Sequence, residues 1–139
     1  MILTDTSIWV DHLRVGNARL TGLLNRGAVL AHPWVIGELA LGNLSPGSEV
    51  LRLLHDLPQT LVATDAEVLT LIAAAGLAGS GIGYVDAQLL AATRLTPDAR
   101  LWTGERRLRA IAARLNLAAE PGEGSASTEP EARTGEAPA

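Results

Sequence analysis

An α/β fold built on a central, mostly parallel sheet is what this sequence predicts, and three observations predict it. Short β-compatible segments alternate with longer helical ones along the chain. Gly, Pro, Ser and Thr fall between them where helices start and stop. Apolar residues make up 47% of the 139 positions, enough to cover a sheet with helices on both faces. Four to five strands are expected.

Each element has its own justification. MILT (1–4) is apolar and β-compatible, and Ser7 stands where a helix N-cap belongs, ahead of Ile8, Val10 and Leu13. NARLTGLLNR (17–26) reads as a second helix, ended by Gly27. AVLA (28–31) reads as a strand, and Pro33 opens a helix that runs to about residue 42. Ser45 and Pro46 offer a cap and a first-turn proline for a helix to about residue 56, which Pro58 follows. TLVA (60–63) is the next strand candidate. Thr64 and Glu67 have capping-box spacing before VLTLIAAAGLAG. GSGIG (79–83) is a flexible joint, YVDAQLLAATRL (84–95) a helix and TPDAR a turn. LWT (101–103) forms a further strand and ERRLRAIAARL (105–115) the last helix.

Residues 1–119 suit one domain. From Glu120 onward the chain is Pro, Gly, Ser, Thr, Glu and Ala without apolar periodicity, so 120–139 is expected to be a disordered acidic tail. That tail holds five Glu and one Arg and so accounts for the whole net charge of -4, while 1–119 balances ten acids with ten Arg. The folded part is therefore neutral, and any acidic cluster in it is local. Cysteine is absent, which excludes disulfides and thiolate metal sites. No basic, apolar leader opens the chain, and no run approaches the roughly 18 apolar residues of a membrane span. A soluble, cytoplasmic protein is expected.

Ligands bind to open α/β sheets outside the carboxyl ends of the strands. Four acids fall there. Asp5 follows the first strand, Glu38 lies one turn into the helix after AVLA, Asp86 is in the first turn of its helix, and Glu105 begins the last one. Each has an ordinary reading. Asp5 can cap a helix, Asp86 and Glu105 suit the positive end of a helix dipole, and Glu38, on a helix apolar nearly all round, should be buried with a partner. Together they point to a crevice whose mutual repulsion needs a cation. No Arg adjoins Asp5, Glu38 or Asp86 in sequence, so a hard divalent ion, Mg²⁺ or Mn²⁺, is the better candidate. Such an ion serves phosphoryl chemistry. The remaining acids have structural homes: Asp65 and Glu67 in the capping box, Asp98 in the turn, and Asp11, Glu49 and Asp56 on solvent faces.

The order DTSIWVDHLR, ELALGNL, YVDAQLLAAT and LWTGERRL resembles the PIN-domain ribonucleases, and in detail the VapC-type toxins of toxin–antitoxin pairs. The resemblance spans about residues 1–118. It matches Asp5, Glu38 and Asp86 to three acids of that family's metal site. It matches Glu105, in Thr103-Gly104-Glu105, to a position usually held by Asp, and Thr6, Ser7 and Thr103 to hydroxyl positions that orient carboxylates or waters. It implies a PIN-like fold and hydrolysis of an RNA phosphodiester, with one or two Mg²⁺ or Mn²⁺ ions, leaving a 5′-phosphate and a 3′-hydroxyl. The substrates it implies are structured RNAs such as tRNA or ribosomal RNA. A homodimer and a small VapB-like antitoxin that blocks the crevice are implied as partners.

Arg106, Arg107, Arg109 and Arg114 cluster on the last helix, and Arg14, Arg106 and Arg107 are the candidates for RNA phosphate contact. Trp9, Trp34 and Trp102 fit core or dimer contacts better than base stacking. His12, His32 and His55 show no ligand spacing, and GSGIG is not a dinucleotide fingerprint. Two other functions stay open: an aspartyl-phosphate phosphatase, disfavoured because position 7 is Ser rather than Asp, and a catalytically silent PIN-like RNA-binding module.

Overall fold

The structure, a computed structural model, describes residues 1–42, 44 and 47–119. Its elements are β1 (Ile2–Thr4), α1 (Thr6–Val15), α2 (Ala18–Asn25), β2 (Val29–Leu30), α3 (Pro33–Leu41), α4 (Glu49–Asp56), α5 (Asp65–Ala75), α6 (Tyr84–Leu95), β3 (Arg100–Trp102) and α7 (Arg106–Arg114). The strands form a parallel sheet in the order β2-β1-β3. Ile2 pairs with Val29 on one side and Arg100 on the other, and Leu3 with Leu30 and Leu101. The chain thus leaves β1 toward one neighbour and later returns to the other, so a topological switch point lies at the carboxyl end of β1, where Asp5 stands.

Every residue of β1 and β2 is buried, as a sheet covered on both faces requires. The core includes Leu3, Leu20, Leu54, Leu89 and Leu90, each with no measurable exposure. Truncating one of them, as in Leu3→Ala, would cost about 2–5 kcal/mol.

The sheet has three strands, not four to five. TLVA (60–63) is not a strand. Only Gln59 forms a bridge, to Ala31, through bonds from Ala31 N to Pro58 O and from Thr60 N to Ala31 O. The Leu61 N–H then turns to Thr96 Oγ1 at 3.0 Å, which draws the chain off the sheet and leaves Leu61 and Val62 exposed. The opposite edge gains an unexpected bridge, Leu101 to Ala118.

The caps show how local chemistry ended the helices. The Thr64–Glu67 capping box is present, with Thr64 N to Glu67 Oε1 at 2.8 Å and Glu67 N to Thr64 Oγ1 at 3.1 Å, and Gly76 closes α5 in the left-handed region. Two expectations fail. Asp5, not Ser7, caps α1, its carboxylate accepting from Thr6 N. Ser48 caps α4, whereas Ser45 and Pro46, like 120–139, lie outside the described residues. No helix among the described residues is long and apolar enough to cross a membrane.

Candidate active site

The site is built around Asp5, which is 5% exposed. Its backbone N–H extends the β1–β3 ladder by donating to Trp102 O at 2.9 Å. That bond sets Asp5 beside Thr103, the residue after β3. Thr103 Oγ1 donates to Asp5 Oδ2 at 2.6 Å, and Ser7 Oγ donates to the same oxygen at 3.0 Å. Thr6 N caps the other oxygen, Oδ1, at 2.7 Å. Asp5 is therefore both a helix cap and a buried carboxylate with its two oxygens aimed by three donors, and the two readings of the sequence coexist.

The hydroxyls carry the arrangement to the other acids. Thr6 Oγ1 donates to Glu38 Oε1 at 2.5 Å, which links α1 to α3. Thr103 Oγ1 accepts from Glu105 N at 3.0 Å, and Ser7 Oγ accepts from Gly104 N at 3.0 Å. One Thr hydroxyl thus fixes both the Asp5 carboxylate and the turn that launches Glu105. Asp86 Oδ2 accepts from Gly83 N at 3.0 Å. Burial pushes the Asp86 carboxyl pKa up, the Gly83 N–H opposes this, and the negative charge of Asp5 adds to it. Asp5 and Asp86 are thus close enough to repel.

Glu38 departs from expectation. It is exposed rather than buried, because the same side of α3 also leaves Gly37, Ala40 and Leu41 to solvent, Leu41 being 90% exposed. Its hydrogen-bond partner among the described residues is the Thr6 hydroxyl. Hydroxyls tie Asp5 to its neighbours and Thr6 to Glu38, and among the described residues no three of the acids close into a ready-made metal cage.

Cations frame the site without neutralising it. The ion pairs among the described residues are Arg14–Asp11 and Arg52–Glu49, so none joins a guanidinium to the four acids. Arg14 lines a groove with Glu38, Val10 and Leu13. Arg106 and Arg107 line a cleft of about 460 Å³ with Asp86, Glu105 and Gly81. Gly81 is a residue that the sequence reading missed. Its φ is +89°, and a Cβ there would collide with the Arg107 guanidinium. The glycine spacing of GSGIG was the available signal, since a joint that must pass under a long side chain needs Gly.

The aromatics and histidines divide by burial. Trp9 is 1% exposed and is core. Trp102 lies under the Arg19 guanidinium, 4.3 Å from the ring centroid. His12 Nδ1 accepts from Asn17 N at 3.1 Å. His32 is wholly buried and caps α3, its Nδ1 accepting from Trp34 N at 3.0 Å.

This chain is 48% identical over 118 residues to Ribonuclease VapC32 of Mycobacterium tuberculosis, found identically matched in two strains, covering 85% of this chain and 95% of the relative. It belongs to the VapC ribonuclease family. No family model matches it. For a VapC-family chain, the parallel sheet flanked by helices and the acids gathered at the carboxyl ends of β1 and β3 agree with the PIN-like architecture read from the sequence.

Proposed function

We propose that this VapC-family chain is a divalent-metal-dependent endoribonuclease, the toxin of a toxin–antitoxin pair, which hydrolyses RNA phosphodiester bonds and so inhibits translation. The observation that carries the reading is the buried Asp5 carboxylate, whose charge adds to the raised pKa of Asp86, with no guanidinium ion-paired to either among the described residues. Two carboxylates that repel in a partly buried crevice favour a cation between them. The donors are all oxygens, which suits Mg²⁺ or Mn²⁺.

Asp5 and Asp86 would hold the ion, with Glu38 and Glu105 reaching it directly or through water. Bound there, it would polarise the phosphate and supply a nucleophile at neutral pH. The chain's own groups do the positioning. Thr103 and Ser7 hold Asp5 Oδ2, Thr6 orients Glu38, and Arg106 and Arg107 offer phosphate contacts beside Asp86 and Glu105. Arg14, paired with Asp11 in the groove it shares with Glu38, is available to RNA or to a blocking partner. The partners in this reading are a small antitoxin and a second copy of the chain.

The phosphatase alternative loses ground. That chemistry uses a second Asp two residues after the first, and here the position is held by Ser7, whose hydroxyl donates to Asp5 Oδ2. The test is direct. Purified full-length protein with Mn²⁺ should cut RNA, and Asp5→Asn should abolish cutting while leaving the protein folded. RNA binding without cutting by the wild type would sink the enzyme reading in favour of a silent binding module.

A further inference from the structure

Trp34 fits a core or dimer contact by residue type, yet it and Tyr84 are each 39% exposed. Their rings meet, with centroids 6.0 Å apart and planes tilted by 60°. Trp34 is in the first turn of α3, one turn ahead of Glu38. Tyr84 is the first residue of α6, two positions before Asp86. The aromatic pair is thus mounted on the two helices that bring those acids to the site. We infer that Trp34 and Tyr84 form a stacking platform for an unpaired nucleobase of the RNA, an inference that rests on the ribonuclease reading.

Three observations favour a base over other occupants. The Tyr84 hydroxyl is already engaged, donating to Asp65 Oδ1 at 2.6 Å, so the ring is held in place and what it offers is a π surface. The 60° tilt keeps the two rings from covering each other face to face, which leaves room for a third plane. The charge around the site is also divided. Beside the platform stands Asp65, with Asp86 two residues along α6, and both repel phosphate, while Arg106 and Arg107 line a cleft with Asp86 that does not include the aromatic pair. A strand crossing the acids would lay its phosphates toward the arginines and turn a base toward the aromatics. Aromatic stacking tolerates every base, because each has a π face.

The test measures binding by full-length protein with EDTA present, so that no strand is cut. The probes are single-stranded oligoadenylate and an abasic ribose-phosphate strand of equal length and charge. The wild type should bind oligoadenylate about tenfold more tightly than the abasic strand. This ratio should persist as salt rises, while both affinities fall together. Trp34→Leu should bring the ratio close to one, and Trp34→Phe should restore most of it. An unchanged ratio in Trp34→Leu overturns the inference. So does an equal loss for both strands accompanied by dissociation into monomers in sedimentation, which would make this face a contact between copies of the chain. Failure of the wild type to bind either strand overturns the platform, while the Mn²⁺ cutting assay decides the ribonuclease reading separately.

Discussion

His32 gives the chain an acid sensitivity that can be removed by one substitution. The side chain is wholly buried, and its Nδ1 accepts the Trp34 N–H, so the neutral ring must carry its proton on Nε2, which has no partner. Burial lowers its pKa from 6.5 to about 4. Between those values the unfolded chain takes up a proton and the folded chain does not. Stability is therefore complete above the unfolded value, falls as the pH drops, and is fully lost below the folded value. At about 1.4 kcal/mol per unit, roughly 2 kcal/mol should disappear between about pH 7 and about pH 4.5 through this residue alone. His32→Asn keeps an N-cap acceptor and removes the titration. It leaves a small cavity but deletes an unsatisfied N–H, so the net change at neutral pH is small. Urea denaturation followed by circular dichroism, at both pH values and for both proteins, measures the difference. The wild type should lose about 2 kcal/mol more than the variant on acidification. Parallel losses in the two proteins would refute the reasoning, since carboxylates common to both cancel in the comparison.

Two further predictions concern the acids. Thr103→Val is nearly isosteric but removes the hydroxyl that donates to Asp5 and accepts from Glu105 N. It should cost about 1.5–3 kcal/mol in urea denaturation and weaken Mn²⁺ binding by about 10–100-fold in calorimetry, whereas Thr103→Ser should recover much of both. Asp86 has a carboxyl pKa raised first by burial and then by Asp5, so the stability linked to its protonated form is present at low pH and lost as the pH rises through the folded value. Asp86→Asn should therefore raise the denaturation midpoint at neutral pH, with the gain vanishing in acid, and should abolish RNA cutting. Mn²⁺ should raise the melting temperature of the wild type and not that of this variant.

Local signals were legible where one segment settles its own geometry. The Thr64–Glu67 box, Pro33 at the start of α3 and the helix 84–95 need only neighbours in sequence, and all are present. The same holds for Asp98, which adopts a φ of 60° in the TPDAR turn. That TLVA (60–63) stays out of the sheet was not legible, because it has strand composition but is steered away by a hydroxyl on Thr96, 35 residues after Leu61. Glu38 was misjudged as buried for a related reason. Apolar character all round a helix says nothing about which side finds a cover, and α3 leaves one side open.

The sequence by itself determined the order of the helices and of the three strands that form, the neutral balance of 1–119 and the identity of the acids at strand ends and helix starts. These follow from residue type, spacing and the alternation of short and long apolar segments. Tertiary structure alone decided how the acids relate. Asp5 reaches Thr103 because β1 and β3 become hydrogen-bonded neighbours with 98 residues separating the two side chains. Whether a carboxylate meets a hydroxyl, another carboxylate or water depends on which distant backbones pair, and that is set by the packing of the whole core rather than by any local stretch.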